Sequence, residues 1–245
     1  MRRIVSPSGE IEGPSSERTR VRRLPERGSY DRAFIDSILD EGLVCHVSFA
    51  AGGHPFVIPT TYARRGDLLY FHGLRGSRMM KHLRDGHPVA IAVTLLDGIV
   101  MARSAFHHSM NYRSVVVFGK PREVTDPDEK AVALDALVDH LVPGRRDHIR
   151  GPNQTESSKT LVAALQISEV SAKTRSGPPG DDEVDYELDT WAGVVPLELT
   201  PGPPEADPLL RAGIATPDHA QHYTRSPRPR QSDPQKGSPQ EDLPA

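Results

Sequence analysis

In the run Leu43-Val44-Cys45-His46-Val47-Ser48-Phe49, the residues Leu43, Cys45, Val47 and Phe49 take alternate positions, with His46 and Ser48 between them. A period of two places the first set on one face of a strand and the second on the other. This part of the chain is therefore confined to a half-buried sheet. The segment Ala50-Ala51-Gly52-Gly53 turns it into a second strand over 55–62, and Arg65-Gly66-Asp67 turns it again into 68–71. The spacing predicts an antiparallel meander. Runs 89–96 and 114–118 read as buried strands, the second so β-branched at Val115, Val116 and Val117 that helix is disfavoured. Further strands are expected over 162–172 and 191–199, with the polar loop 177–182 between them.

Three stretches carry a helical period instead. Residues 30–41 set Phe34, Ile35, Ile38 and Leu39 on one side and stop at Gly42. Residues 77–85 start at the N-cap Ser77, carry Met79, Met80 and Leu83, and end at Gly86. Residues 126–142 open with Asp126-Pro127-Asp128-Glu129, which supplies an Asp cap, a first-turn Pro and an acid three residues after the cap. Their apolar stripe is expected on Ala131, Leu134, Leu137, Val138 and Leu141. Six or seven strands with two or three short helices predict a mainly β (α+β) fold, a closed or nearly closed barrel with helices over its gaps.

Composition divides the chain. Residues 201–245 hold ten prolines and almost no apolar periodicity. Ordering a backbone costs about 1–2 kcal/mol per residue, so this stretch is expected to be a disordered tail. Residues 1–17, rich in Ser, Pro, Gly and Glu, are read the same way, which leaves 18–200 as the folded domain. Arg18, Arg20, Arg22, Arg23 and Arg27, with Val21 and Leu24 interleaved, read as an extended arm over a neighbour's surface. A nucleic-acid arm is the alternative, and the net charge of −3 disfavours it. The single Cys45 excludes an internal disulfide and a Cys-rich zinc site. No window approaches the roughly 18–20 apolar residues of a membrane-spanning helix, and the opening Met1-Arg2-Arg3-Ile4-Val5-Ser6-Pro7 lacks the apolar stretch of a secretory signal. The expectation is a cytoplasmic chain with a small-molecule substrate and neither membrane nor nucleic acid as partner.

Two segments carry candidate chemistry. In Tyr70-Phe71-His72-Gly73-Leu74-Arg75-Gly76-Ser77-Arg78-Met79 a strand gives way to two glycines and a helix start. Backbone amides and the Ser77 hydroxyl can donate to phosphate oxygens, and Arg78 and Lys81 can supply charge. The motif lacks the Gly-Lys-Ser/Thr ending of a P-loop, so an ordinary capped helix is the alternative. In Phe106-His107-His108-Ser109-Met110-Asn111-Tyr112-Arg113-Ser114 a polar cluster precedes the most apolar strand. Asn111, Arg113 and Ser114 can hydrogen-bond a flat heterocycle, with an exposed hairpin loop as the alternative. Adjacent His107 and His108 would point oppositely in a strand, with no carboxylate at a helpful spacing, so no metal site is expected. Cys45 and His46 face opposite sides and form no nucleophile–base pair. No Gly-x-Ser-x-Gly elbow is present. His219 and His222 fall in the Pro-rich tail, where solvated side chains are expected, and Trp191 reads either as core or as cover for a ligand ring.

The segments Arg18–Gly28, Gly42–His46, Pro55–Pro59, Tyr62, Tyr70–Gly73, Gly76–Met79, His108–Ser114 and Trp191–Pro196 together resemble the pyridoxamine 5′-phosphate oxidase-like flavin-binding proteins. The nearest branch is the nitroimidazole-resistance type, and the similarity runs in order over about residues 18–199. The resemblance implies a split β-barrel, usually a homodimer with two FMN sites at the subunit interface. Val57, Ile58, Pro59, Thr60 and Tyr62 would line the isoalloxazine ring, and Phe71, His72 and Gly73 would continue the wall. Ser77 and Arg78 match the phosphate-holding pair. Met79 stands where the oxidases have Lys, with Lys81 as the substitute. Asn111, Arg113, Ser114 and Trp191 complete the cofactor set. The Arg-x-Val-Leu-Leu-Lys strand of the oxidases is replaced by Pro55-Phe56-Val57-Ile58-Pro59, which argues against oxidation of pyridoxamine phosphate. The implied activity is an FMN-dependent oxidoreductase acting on a small aromatic, nitro or quinone-like acceptor, with His72 as the candidate acid–base residue. The alternatives are a flavin carrier without turnover, a haem-binding protein with His72 or His108 on iron, and a reductase using the deazaflavin F420.

Overall fold

A two-residue strand β1 (Gly28–Ser29) leads into helix α1 (Arg32–Glu41). Asp31 caps α1 by accepting from the Phe34 amide, and Ile35, Ile38 and Leu39 are fully buried along one stripe. Gly42 ends it at φ −67°, a backbone open to any residue. Space explains the glycine: a Cβ there would lie 2.5 Å from Val93 Cγ1 and 2.9 Å from the Tyr62 hydroxyl. The protein is described as a computed structural model over residues 13–224. The expected disorder of residues 1–12 and 225–245 lies outside those residues.

Strands β2 (Val44–Ala51) and β3 (His54–Thr61) pair antiparallel around Gly52-Gly53, and Cys45, Val47 and Phe49 are buried as the alternation requires. The chain then changes sheet at Tyr62. β4 (Ala63–Arg65) and β5 (Leu68–Leu74) form a hairpin in a second sheet, so the expected continuous meander is split in two. Tyr62 fixes the crossing: it is fully buried and donates to the Leu39 carbonyl at 2.6 Å. Helix α2 (Arg78–Arg84) follows, then the long pair β6 (Val89–Met101) and β7 (Ser109–Gly119), with a bulge between Leu96 and Gly98.

The remaining elements are β8 (Arg122–Glu123), α3 (Pro127–Leu141), α4 (Gln154–Lys159), β9 (Thr160–Gln166), β10 (Glu169–Arg175), β11 (Gly193–Pro196) and α5 (Asp218–Gln221). The larger sheet runs β1-β10-β7-β6-β2-β3 with β11 also on β6, and the smaller runs β4-β5-β9-β8. Among the described residues eleven strands, two of them of only two residues, stand where six or seven are expected. The single strand predicted over 162–172 is two, β9 and β10, one in each sheet. The break falls where the Ile167 amide donates to Asp67 O at 2.8 Å, which ties it to the β4–β5 turn. Among the described residues no strand belongs to both sheets, and the barrel is a split one.

The core lies between the sheets. Leu69, Phe71, Leu161, Ala163 and Leu165 face Cys45, Val47, Ile91, Val93, Val115 and Val117, with α1 and the Met80 and Leu83 side chains of α2 closing the ends. Helix α3 covers the outer face of the smaller sheet, against Tyr70, Val124, Val162 and Ala164. Its inward residues are Ala133 and Leu137, whereas the expected Ala131 is exposed. The alanine at 133 lets the helix sit close on a patch of small residues, which sets its rotation.

Both ends of the domain differ from expectation. The arginine arm lies on this chain's own β10: Arg18 pairs with Glu169, Lys173 donates to Arg23 O at 2.8 Å, and Arg20 and Arg22 pair with Glu17. Between 201 and 224 the chain has little regular structure, yet 218–223 does not behave as a solvated tail. The Tyr223 hydroxyl donates to Leu141 O at 2.8 Å, Arg145 donates to His219 Nε2 at 3.2 Å, and the rings of His148 and His219 lie 4.8 Å apart. No helix among the described residues is long and apolar enough to cross a membrane.

Candidate functional site

Among the described residues strand β3 pairs only with β2, and it carries Val57, Ile58 and Pro59 exposed, with Phe56 and Thr60 half-buried. Pro55 and Pro59 remove two amide donors, which blunts a free edge against pairing with another strand. What remains is an apolar ledge. Helix α2 opens beside it: the Arg78 guanidinium lies 4.3 Å over the Phe56 ring, a cation–π contact that brings the helix start against the strand. Ser77 Oγ accepts from the Met80 amide at 3.3 Å and keeps its own O–H free to donate. Gly73 lets α2 approach β5, since a Cβ there would sit 2.9 Å from Met80 Cγ.

The charges at this opening are unevenly used. Arg75 is paired with Glu123 at 2.9 Å, whereas Arg78 and Lys81 have no carboxylate partner among the described residues. Met79 is half-buried and contributes no charge. Two unpaired cations, a serine hydroxyl and an apolar ledge can receive an anionic group attached to a flat ring.

Other expected site residues serve the fold. Tyr62 and Phe71 are fully buried, so neither lines an open wall. Alternation along β5 turns Phe71 into the core and His72 to the opposite, exposed face. Desolvation by its surroundings holds the His72 imidazole below its ordinary pKa, and nothing among the described residues hydrogen-bonds it. Arg113 is clamped between Glu41 and Asp97, Ser114 donates to Lys173 O at 3.1 Å, and buried Asn111 accepts from Arg175 and donates to Gly177 O at 3.2 Å. These three groups fasten strands and loops together and are not a free set awaiting a heterocycle. Cys45 and His46 face apart as expected, and burial pushes the Cys45 thiol up to about 12.

A second exposed region was not visible in local spacing. β6 continues past residue 96, and Ile99 faces Met110 on one side and Val195 on the other, while Met101 faces Gly193. Ile99, Met101, Met110 and Val195 are between 37% and 50% exposed. The Trp191 ring leans on Gly193, where a Cβ would lie 2.9 Å from it, and is itself exposed, so Trp191 is not core. His107 and His108 sit at the mouth of this hairpin, His107 in a 3-10 turn and not in a strand. His107 does have carboxylates near it, Asp181 and Asp185, which reach it from a loop over seventy residues away. Asp181 is already held by Arg103, through the amide at 2.9 Å and the guanidinium at 3.0 Å.

A family model for pyridoxamine 5′-phosphate oxidase matches residues 31–174. The flavocytochrome Anf3 from Azotobacter vinelandii is 39% identical with a TM-score of 0.81, over 85% of this chain and 97% of that one. The FAD and haem binding protein from Mycobacterium smegmatis is 38% identical with a TM-score of 0.76, over 79% and 95%. A Bacteroides thetaiotaomicron structure described as a 5-nitroimidazole antibiotic resistance protein is 22% identical with a TM-score of 0.51, over 60% and 85%, and bears on the fold alone. No curated protein sequence matches the chain.

Proposed function

Since the chain belongs to the pyridoxamine 5′-phosphate oxidase family, we propose that it is a flavin- and haem-binding redox protein that passes electrons to a small acceptor. The observation that carries this reading is the pair of relatives above 35% identity, a flavocytochrome and an FAD and haem binding protein, each matched over at least 95% of its own length. The M. smegmatis relative favours FAD over the FMN expected from the sequence.

The residues present suit a flavin. Arg78 and Lys81 would hold its phosphate, with the Ser77 O–H as a further donor. Val57, Ile58 and Pro59 would exclude water from one face of the ring, and amides on the free edge of β3 would meet its polar rim. A bound flavin supplies hydride and single-electron chemistry, and the protein supplies placement and electrostatics. His72 has no hydrogen-bonding partner to relay a proton among the described residues, so it is not assigned a catalytic role. Val44 and Leu96, left exposed on the larger sheet, favour a homodimer that covers the part of this face around them.

The test is the absorption spectrum of the purified full-length chain, followed by denaturation and identification of what is released. Flavin bands together with a Soret band are expected, with FAD as the released flavin. A colourless protein that neither quenches added flavin nor changes the spectrum of added haemin would overturn the reading. Release of F420 would replace its flavin half.

A further inference from the structure

We infer that His108 would hold a haem iron through its free nitrogen, beside the outward face of β6, β7 and β11, where Ile99, Met101, Met110 and Val195 would contact the macrocycle. The inference rests on the haem half of the proposed function and adds the ligand and the surface.

Iron takes the lone pair of a neutral imidazole, and a ligating histidine almost always gives its other N–H to a carbonyl, carboxylate or water, which fixes tautomer and orientation. His108 Nδ1 lies 2.9 Å from the Ser104 carbonyl oxygen. A carbonyl only accepts, so the proton sits on Nδ1 and the lone pair on Nε2. His108 is exposed, and nothing among the described residues bonds that Nε2.

The other described histidines are less suited. His82 is buried on Pro88 O, and His140 holds Gly42 O beside the Tyr62 ring. His107 is engaged by Ser104 Oγ and stands 3.8 Å from Asp182. His148 and His219 lie ring against ring where the C-terminal segment docks, and His222 Nδ1 meets Asp218 of its own helix α5, off the two sheets. His46, His54, His72 and His87 are exposed, but nothing among the described residues hydrogen-bonds a ring N–H on any of them, His87 making a ring contact with His82.

The register places the surface next to the ligand. Val100 pairs with Ser109, and Val100 is fully buried, so Ile99, Met101 and Met110 project from the opposite face. His108 immediately precedes Ser109. Val195 joins Ile99 from β11, and Gly193 opposite Met101 leaves a flat floor under the Trp191 ring. Two thioethers, two branched aliphatic chains and an indole make an apolar, polarisable bed for a planar macrocycle.

The experiment titrates haemin into the full-length protein and its His108→Ala, His46→Ala and His72→Ala variants, reading the Soret band, with flavin content as a parallel readout of folding. His108→Ala is expected to shift the Soret band and to weaken haemin binding by at least about the 10- to 100-fold that losing a ligand's hydrogen-bonding partner costs a metal site. Added imidazole should restore the band, while flavin content stays at the parent level. His46→Ala and His72→Ala should match the parent protein. A His108→Ala variant with the parent's Soret band and affinity would overturn the assignment, as would a loss that follows His46 or His72 instead; the first result is also expected if the patch only meets a second copy of the chain. A parent protein that takes up flavin but gives no Soret change would overturn the haem half of the proposed function, and this assignment with it.

Discussion

Arg113 and Glu41 form a two-point ion pair across one end of the barrel, with Nη1 to Oε2 at 2.5 Å and Nη2 to Oε1 at 2.8 Å. The same guanidinium meets Asp97 through Nε at 3.0 Å and Nη2 at 2.7 Å. One cation thus joins the end of α1, the β6 bulge and β7, and the two carboxylates lift its pKa further above the ordinary arginine value. Replacing Arg113 by alanine leaves two half-buried carboxylates facing each other and is expected to cost about 1–3 kcal/mol, below the range for fully buried pairs because all three groups keep some solvent contact. Arg113→Lys should recover only part, since an ammonium cannot fork. Urea unfolding measures both, and an unchanged midpoint for the alanine variant would contradict the clamp.

Gly42 is held to glycine by its neighbours. A methyl group placed there meets Val93 Cγ1 at 2.5 Å and the Tyr62 hydroxyl at 2.9 Å, both in the packed core. Gly42→Ala should therefore destabilise the domain by about 1–3 kcal/mol through overpacking, although the same change usually helps where φ is negative. A thermal melt that rises for this variant would show that the core yields.

Local signals were legible and long-range ones were not. Asp126 and Ser77 cap helices as their sequence context implies, and the period of two in β2 buried Cys45, Val47 and Phe49. Alternation gives a residue's face but not what lies on that face, so the sequence does not distinguish a ligand wall from the core that Tyr62 and Phe71 belong to. The polar cluster before the Val115–Val117 run looks available for a ligand in the sequence because its partners are remote: Glu41 is 72 positions from Arg113, and Gly177 is 66 from Asn111. The Ser77–Arg78 start was visible because strand, glycines and helix are contiguous. Its closure onto Phe56 was not, since it depends on how two sheets fold over each other.

Arg78 is the residue on which the phosphate assignment is most directly tested. Arg78→Ala should weaken flavin binding by about 1.5–3 kcal/mol, the range for a hydrogen bond to a charged group. Loss of the Phe56 contact should lower the stability of the flavin-free protein by only about 0.5–1 kcal/mol. Fluorescence titration separates the two effects, and an unchanged dissociation constant would move the phosphate elsewhere.

The docked C-terminal segment carries a pH dependence whose sign follows from one bond. His219 Nε2 accepts from Arg145, which requires a lone pair on that nitrogen. Desolvation, then the nearby His148 and Arg145, lower its pKa below the ordinary 6.5, with Asp218 pulling weakly the other way. The released segment therefore binds a proton more readily than the docked one, so docking is fully stabilising above the ordinary histidine value and weakens as pH falls below it. Protection factors in the last turn of α3, with exchange rates corrected for the pH dependence of intrinsic exchange, should fall between about pH 7.5 and 5.5 in the parent protein. The fall should flatten in His219→Gln, whose amide oxygen accepts without titrating. Tyr223→Phe should lose about 0.5–1.5 kcal/mol of protection equally at both pH values, because its bond to Leu141 O does not titrate in this range. Removing 201–245 should lower the stability of the domain, against what ten prolines in that stretch suggest, and equal protection factors at both pH values in the parent would mean that His219 takes no part in holding the segment down.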